Sequence, residues 1–477
     1  MRDKTRQTDL ITGGMGWTSD NPHLRDHFEP VGDELDQADL PVTFGRIPDD
    51  LKGAYMRNGP NPLFKPLSYS FPMDGDGMIH AVYFDEGRAR YKNRFVRTRG
   101  LAVERRAGRA VYGGLLSPVP VDPALVGEDG EPGLFKNGAF INILSHAGQL
   151  LALGEAAAAY EMTTELDTIG EWRPGTDAPL ILGAHNRHHK ATKDLYALDY
   201  LVEEPLIHVH QIDKVGKLAR SFSVSLAAPS MIHDFVLTGR YMVLLVGPAV
   251  FDVEAAERGE PLLQWRREMG TRIGVIPLDG AAPVWIEAEP FFVFHFANGF
   301  EAGGDIIIDY VRHGRLPIGP ASGDHQPPRL HRLVIDVAAR RARDEMMADF
   351  PTELPRIDDR FEALPSRFIF TPLRTASLTL VNAPGGTFNA VARFDTKTGQ
   401  VTRHDFGNRA SGEPVFIPRP GAVDESAGYI SVFVYDPVSR SSDLVLLDAQ
   451  DIAREPVAVI KLPQRVPMGL HGNWIRA

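Results

Sequence analysis

Four histidines stand in settings where an imidazole has to be accounted for. His185 follows an apolar run in LILGAHNRHHK, His233 lies in SMIHDFVLTGRYMVLLV, His295 in FFVFHFANGF, and His471 in PMGLHGNWIRA. A ring among apolar neighbours needs partners for its nitrogens, and neutral imidazole is the commonest side-chain ligand of a divalent metal. Strand alternation predicts a face carrying Met231, His233, Phe235 and Leu237, and another carrying Phe291, Val293, His295 and Ala297. The four histidines are separated by 48, 62 and 176 residues, so no local motif joins them. A ring of strands converging on an axis does, because the innermost strand of each propeller blade lines the central channel.

Four neutral imidazoles leave the charge of a divalent ion uncompensated. Metal-bound histidines therefore usually donate their second N–H to a carboxylate, which fixes the tautomer and supplies negative charge. Glu155 in LLALGEAAAAY, Glu353 in FPTELPRID and Glu413 in SGEPVFIPR occupy apolar or turn settings, where a carboxylate of this kind and an ordinary exposed Glu are equal alternatives. Near His185, the residues His188 and His189 fall in a polar turn. His208 and His210 in LIHVHQID share a strand face and could begin a cupin-type site, but no Glu follows within a few residues, which leaves a solvated strand face.

The rest of the sequence limits what can position these groups. The chain has 477 residues, 43% hydrophobic and 24% charged, with 51 basic against 62 acidic residues for a net charge of −11. No basic run resembles a nucleic-acid patch, so nucleic acid is not an expected partner. No segment reaches the roughly 18 apolar residues of a spanning helix, and the N-terminus lacks an apolar signal region. A cytoplasmic location is expected. With no Cys, a disulfide framework and a thiolate-ligated metal are excluded, and a bound metal must use His and carboxylates.

Short apolar or alternating runs closed by turn residues recur throughout: INILSHAGQLLAL, DLYALDYLV, GDIIIDYV and SAGYISVFVYDP read as hairpins or single strands. Helices are expected only around 249–270 and 121–127. No linker-like tract divides the chain, so one all-β domain over 1–477 is expected. Many similar hairpins fit a sandwich pair, a large barrel or a propeller; a propeller without a fixed-period signature is a degenerate one. Strands near 429–447 and 456–462 lead into His471, as expected if this stretch closes a ring begun near the N-terminus.

GAYMRNGPNPLF, FPMDGDGMIHAVYF, LGAH, IHDFVLT, FHFAN, GEPVFIPR and GLHGNW, in this order, resemble the carotenoid cleavage oxygenases from about residue 40 onwards, with 1–39 as an N-terminal extension. The resemblance implies a seven-bladed β-propeller with a loop and helix cap and one Fe(II) on its axis. It makes His185, His233, His295 and His471 the iron ligands, backed by Glu155, Glu353 and Glu413. It also implies cleavage of a C=C double bond with O₂ as co-substrate, giving two carbonyl products. An apolar polyene such as a carotenoid or apocarotenoid is the expected substrate, in a tunnel walled by residues such as Phe235, Phe294 and Phe300.

Two departures from the family pattern bear on substrate and reaction. Stilbene-cleaving relatives hold a phenol with a Lys and a Tyr, where this chain has Gly154 and Leu115. Ile141 replaces a Thr whose methyl projects toward an open iron position, which brings isomerisation in as a competing chemistry. Cleavage of a stilbene or phenylpropenoid side chain is the alternative within the family, and a metal-free binding scaffold the alternative outside it. An apolar substrate also implies peripheral bilayer contact, with the Leu63-Phe64-Lys65 loop and the segment bearing Leu262, Leu263 and Trp265 as expected sites.

Overall fold

The computed structural model describes residues 15–127, 130, 131, 133, 135–318, 326–379, 384 and 386–476; the first 14 residues of the expected extension lie outside that range. Short strands with tight turns dominate because the sequence alternates β-branched and aromatic residues with Gly, Asn and Asp. In INILSHAGQLLAL the strands Asn142–His146 and Gln149–Leu153 are joined by Ala147 and Gly148, both at positive φ (52° and 81°). Such left-handed two-residue loops match the strand twist of a hairpin.

Seven sheets of antiparallel strands form the blades of a propeller. Their innermost strands include Gly472–Arg476, Asn142–His146, Arg187–His188, Val236–Leu237 and Phe296–Ala302, from the first to the fifth blade. In the sixth blade the inner edge is made by isolated bridges, Thr352 to Leu373 and Arg356 to Phe370. In the seventh it is made by Ala410–Ser411 and Val415–Pro418.

Apolar faces of neighbouring blades interlock between the sheets. Leu151 and Leu153 of the second blade meet Leu195 and Ala197 of the third. Val243, Ile273 and Val275 of the fourth meet Ile306, Ile308 and Leu333 of the fifth. Each fully buried side chain of this size contributes about 1.5–3 kcal/mol.

The ring is closed at two places. Gly472–Arg476 pairs with Gly53–Arg57 on the inner edge of the first blade, Arg57 opposite Gly472 and Gly53 opposite Arg476. Val42–Gly45 pairs with Ala458–Lys461 on the outer edge of the seventh, Val42 opposite Ile460. N-terminal residues are thus built into the last blade, and C-terminal residues into the first.

A cap sits over one end of the ring. It includes the helix Arg99–Ala107, whose Thr98 side chain accepts from Leu101 N at 3.1 Å, and the single turn Pro123–Val126. The helix expected around 249–270 is instead a hairpin, Ala249–Phe251 with Leu263–Trp265, enclosing one helical turn at Val253–Glu257. Gly259 at φ 83° and Pro261 stop that turn. Leu262 and Leu263 are each only 6% exposed, which removes this segment as an apolar patch for a bilayer. No helix of the described residues is long and apolar enough to cross a membrane.

Gly45 sits at φ 67°, and a Cβ there would lie 2.1 Å from the Val457 carbonyl oxygen. Gly45→Ala is therefore expected to loosen the outer closure and lower stability by more than about 1 kcal/mol. Denaturant unfolding measures this, and an unchanged midpoint would show that the outer strand does not hold the ring.

Candidate metal centre

The four sequence-picked histidines meet on the propeller axis. One ring nitrogen from each of His185, His233, His295 and His471 lies within 4.8 Å of the others, and all four side chains are buried. Each precedes the innermost strand of its blade by one to three residues. None lies within a strand, which corrects the strand-face reading of His233 and His295: residues 231–235 and 293–295 are irregular and become strand only afterwards. The blades thus aim their histidines inward from the ends of their inner strands.

The ring planes meet edge to face, His185 against His471 at 4.4 Å between centroids and His295 against His471 at 4.7 Å. The Nε2 atoms of His185 and His233 are 3.1 Å apart. Two imidazoles bound at right angles to one divalent ion at about 2.1 Å would place their nitrogens about 3 Å apart. Nε2 of His295 is buried with no hydrogen-bond partner among the described residues, an orphan that a metal would satisfy. The donor set therefore fits a divalent first-row metal.

All three sequence-picked carboxylates stand behind these rings. His233 Nδ1 donates to Glu155 at 2.6 Å, His471 Nδ1 donates to Glu413 at 2.9 Å, and His295 Nδ1 bonds Glu353. Each bond fixes the tautomer that leaves Nε2 free to bind a metal. The fourth ring, His185, has Asp234 at 4.0 Å from its Nδ1 instead.

The carboxylates have partners that sequence reasoning missed. Tyr200 donates to Glu155 at 2.9 Å, His313 Nε2 meets Glu353 at 2.7 Å, and Arg356 lies 3.3 Å from Glu413. Burial would raise the Glu413 carboxyl, but Arg356 and His471 pull it down to about 2. Burial likewise opposes ionisation of Glu353, and His295 with His313 holds it well below the usual range. Burial and the three neighbouring rings push His185 far down, so it is neutral. Burial alone would lower His233, but Glu155 outweighs it and raises that ring.

Asp234 joins three ligand-bearing segments. Its carboxylate takes Arg187 at 2.8 and 2.6 Å, Phe235 N at 2.7 Å and Phe296 N at 3.2 Å, beside His185, His233 and His295 respectively. Only its position next to His233 signalled it in the sequence. Ile141 occupies the matching place in the second blade, just before Asn142–His146. It packs with Phe140, Ala184 and Leu470, and its carbonyl accepts from His471 N at 3.0 Å.

Other sequence-picked residues lie elsewhere. His188 is in the inner strand of the third blade rather than a solvated turn, 3.1 Å from His146, while His189 bonds Thr192. His208 and His210 share a strand face and bond Ser223 and Ser221 at 2.9 and 2.7 Å, away from the cluster.

Two cavities flank the centre. One of about 160 Å³ reaches His185, His295 and His471 and is lined by polar groups such as Asn186, Arg356 and Glu362. The other, of about 480 Å³, lies beneath the cap, with Leu115, Gly154 and Glu155 in its wall. Phe235, Phe294 and Phe300 do not line it, which corrects their reading as tunnel walls. Phe294 instead stands edge-on to His233 at 5.2 Å between centroids, and Phe235 is fully buried among core residues. Apolar wall positions fall to Met73, Phe135, Phe140, Val202 and Phe251.

The family model "Retinal pigment epithelial membrane protein" matches residues 28–476. A carotenoid cleavage oxygenase of Mycobacterium tuberculosis is 32% identical over 97% of this chain and 99% of its own length. The chain belongs to the carotenoid cleavage oxygenase family. An isoeugenol monooxygenase of Pseudomonas nitroreducens is 30% identical, covering 95% of this chain and 98% of its own length. The crystal structure of a Pseudomonas brassicacearum lignostilbene dioxygenase superposes with a TM-score of 0.86 at 27% identity, over 96% of this chain and 99% of that one. Carotenoid cleavage oxygenase relatives thus share the whole propeller with this chain.

Bound metal is expected to depend on both layers of the centre. His471→Ala should leave less than about a tenth of the metal after dialysis, and Glu413→Gln should weaken affinity about 10–100-fold. Metal analysis with competition titration measures both, and full metal retention in His471→Ala would remove that residue from the ligand set.

Proposed function

We propose that this chain is an Fe(II)-dependent oxygenase that cleaves a C=C double bond of a carotenoid or apocarotenoid with O₂ to give two carbonyl products. The observation that carries this reading is the four-imidazole cluster with three carboxylates behind it, Glu413 buried and Glu155 and Glu353 half-buried, beside a largely apolar cavity. Bound by four neutral imidazoles, ferrous iron supplies the activation of O₂ beside an electron-rich alkene. No redox cofactor is needed.

The chain's own residues hold that chemistry in place. Glu155, Glu353 and Glu413 accept the Nδ1 protons of His233, His295 and His471, which keeps the inward nitrogens available as ligands. His313 and Arg356 keep two of these carboxylates ionised. Met73, Leu115, Phe135, Val202 and Phe251 give the alkene a dry wall, and the about 480 Å³ cavity is in the size range of small-molecule sites. Ile141, 1% exposed, keeps bulk water from the second-blade side of the cluster.

A second reading, cleavage of a stilbene or phenylpropenoid side chain, is favoured by the similarity to an isoeugenol monooxygenase and a lignostilbene dioxygenase. Against it stand Leu115 and Gly154, which offer a phenol no side-chain hydrogen bond. Isomerisation is the third chemistry, resting on Ile141 alone.

An apolar polyene is drawn from a bilayer, so the enzyme is proposed to be cytoplasmic and to touch a membrane surface peripherally. Phe64 lines the cavity and Leu67 nearby is 51% exposed, which supports this loop as the contact. Leu67→Asp should reduce co-sedimentation with liposomes severalfold, and equal sedimentation would dismiss the contact.

Reaction class is tested by loading the protein with Fe(II) anaerobically and incubating it in air with an apocarotenal or with 4-hydroxystilbene. Mass spectrometry is expected to find aldehydes from the apocarotenal. Aldehydes from the stilbene alone would select the second reading, and an isomerised polyene without cleavage would select the third.

A further inference from the structure

The cavity under the cap holds a polar group that the cleavage reading leaves without a task. Tyr69 stands in its wall with Met73 and Leu115. Asp74 clamps the two loops that carry them: its carboxylate accepts from Ser70 N at 2.7 Å and from Leu115 N at 2.7 Å. Gly114 N donates to Ser68 Oγ at 2.8 Å, and a Cβ on Gly114 would lie 2.2 Å from Asp74 Oδ2, so the loops fit closely. Asn21 Nδ2 donates to the Tyr69 carbonyl at 3.1 Å.

The backbone around Tyr69 is therefore fixed on both sides, yet its hydroxyl bonds no described residue. Burial, with Asp74 and Asp76, pushes the phenol well above its ordinary range, so it remains an O–H donor. Tyr69 is half-buried in the cavity wall, and its unbonded hydroxyl is available to a ligand oxygen there.

We propose, building on the cleavage reading, that Tyr69 donates a hydrogen bond to the oxygen of a neutral, oxygenated substrate end and so sets which alkenes are accepted. Tyr69 and Leu115 are neighbours in one wall, so the donor absent at Leu115 is supplied from the adjoining loop. An anionic end is disfavoured. The wall carries five acidic residues against two basic ones, Arg99 and Lys136. Lys136 Nζ is already committed to Asp76 at 2.6 Å and Glu104 at 2.7 Å. The chemistry selected is a neutral hydroxyl, carried either by the ring of a polyene or by a phenol.

The test uses the iron-loaded full chain and two substrate pairs: a 3-hydroxylated apocarotenal with its 3-deoxy counterpart, and 4-hydroxystilbene with stilbene. The native chain is expected to prefer the hydroxylated member of at least one pair by about fivefold to tenfold in kcat/KM, and that pair identifies the source of the hydroxyl. In Tyr69→Phe the ratio should fall toward one, chiefly through KM. Equal use of both members of both pairs by the native chain would overturn the proposal. So would an equal loss for both members in Tyr69→Phe, because that is the signature of packing. Dissociation constants of the same pairs, read by tryptophan fluorescence, report the Tyr69 contribution even where no alkene is cleaved, so this inference and the cleavage reading fail separately.

Discussion

Imidazoles whose free nitrogens face one another across less than 5 Å have no reason to stay there unless something holds them from behind. Buried lone pairs want a positive charge, and buried N–H groups want an acceptor. Glu155, Glu353 and Glu413 meet the second demand, and in doing so become largely desolvated anions that need donors themselves. Tyr200, His313 and Arg356 provide these. Each layer thus creates the requirement that the next one satisfies, and the network spreads from the axis into the blades. A propeller suits this arrangement because blades distant in sequence present equivalent inner ends to one axis.

Asp234 shows how the blades are kept in step. One carboxylate ties the third, fourth and fifth blades together through Arg187 and two backbone amides. The rings attached to those segments cannot move independently. The centre sits between two unlike spaces, a small polar one in the bore and a larger, mostly apolar one below the cap. The polar lining suits water, and the mostly apolar one suits an alkene.

Much of the centre was legible in the sequence. His185, His233, His295 and His471 stood out because apolar neighbours make an imidazole expensive, and Glu155, Glu353 and Glu413 because the ordered motifs around them resembled one family. Their local structure was less legible. Extended irregular backbone carries the same alternation as a strand, so His233 and His295 read as strand residues although their strands begin after them. The segment 249–270 read as helix, while Gly259 and Pro261 decided otherwise. His313, Arg356 and Tyr200 left no trace because their roles are contacts across tens of residues. Phe235 and Phe300 were assigned by composition alone, which does not distinguish a cavity wall from a packed interior.

Because the inner strand of the first blade is Gly472–Arg476, the fourth imidazole follows nearly every other blade strand in the chain. A ribosome therefore releases His185, His233 and His295 long before His471. Throughout that interval the nascent chain has at most three of its four rings, and the first blade lacks its inner edge. The complete coordination of the metal thus arises only when Gly472–Arg476 pairs with Gly53–Arg57 and closes the ring.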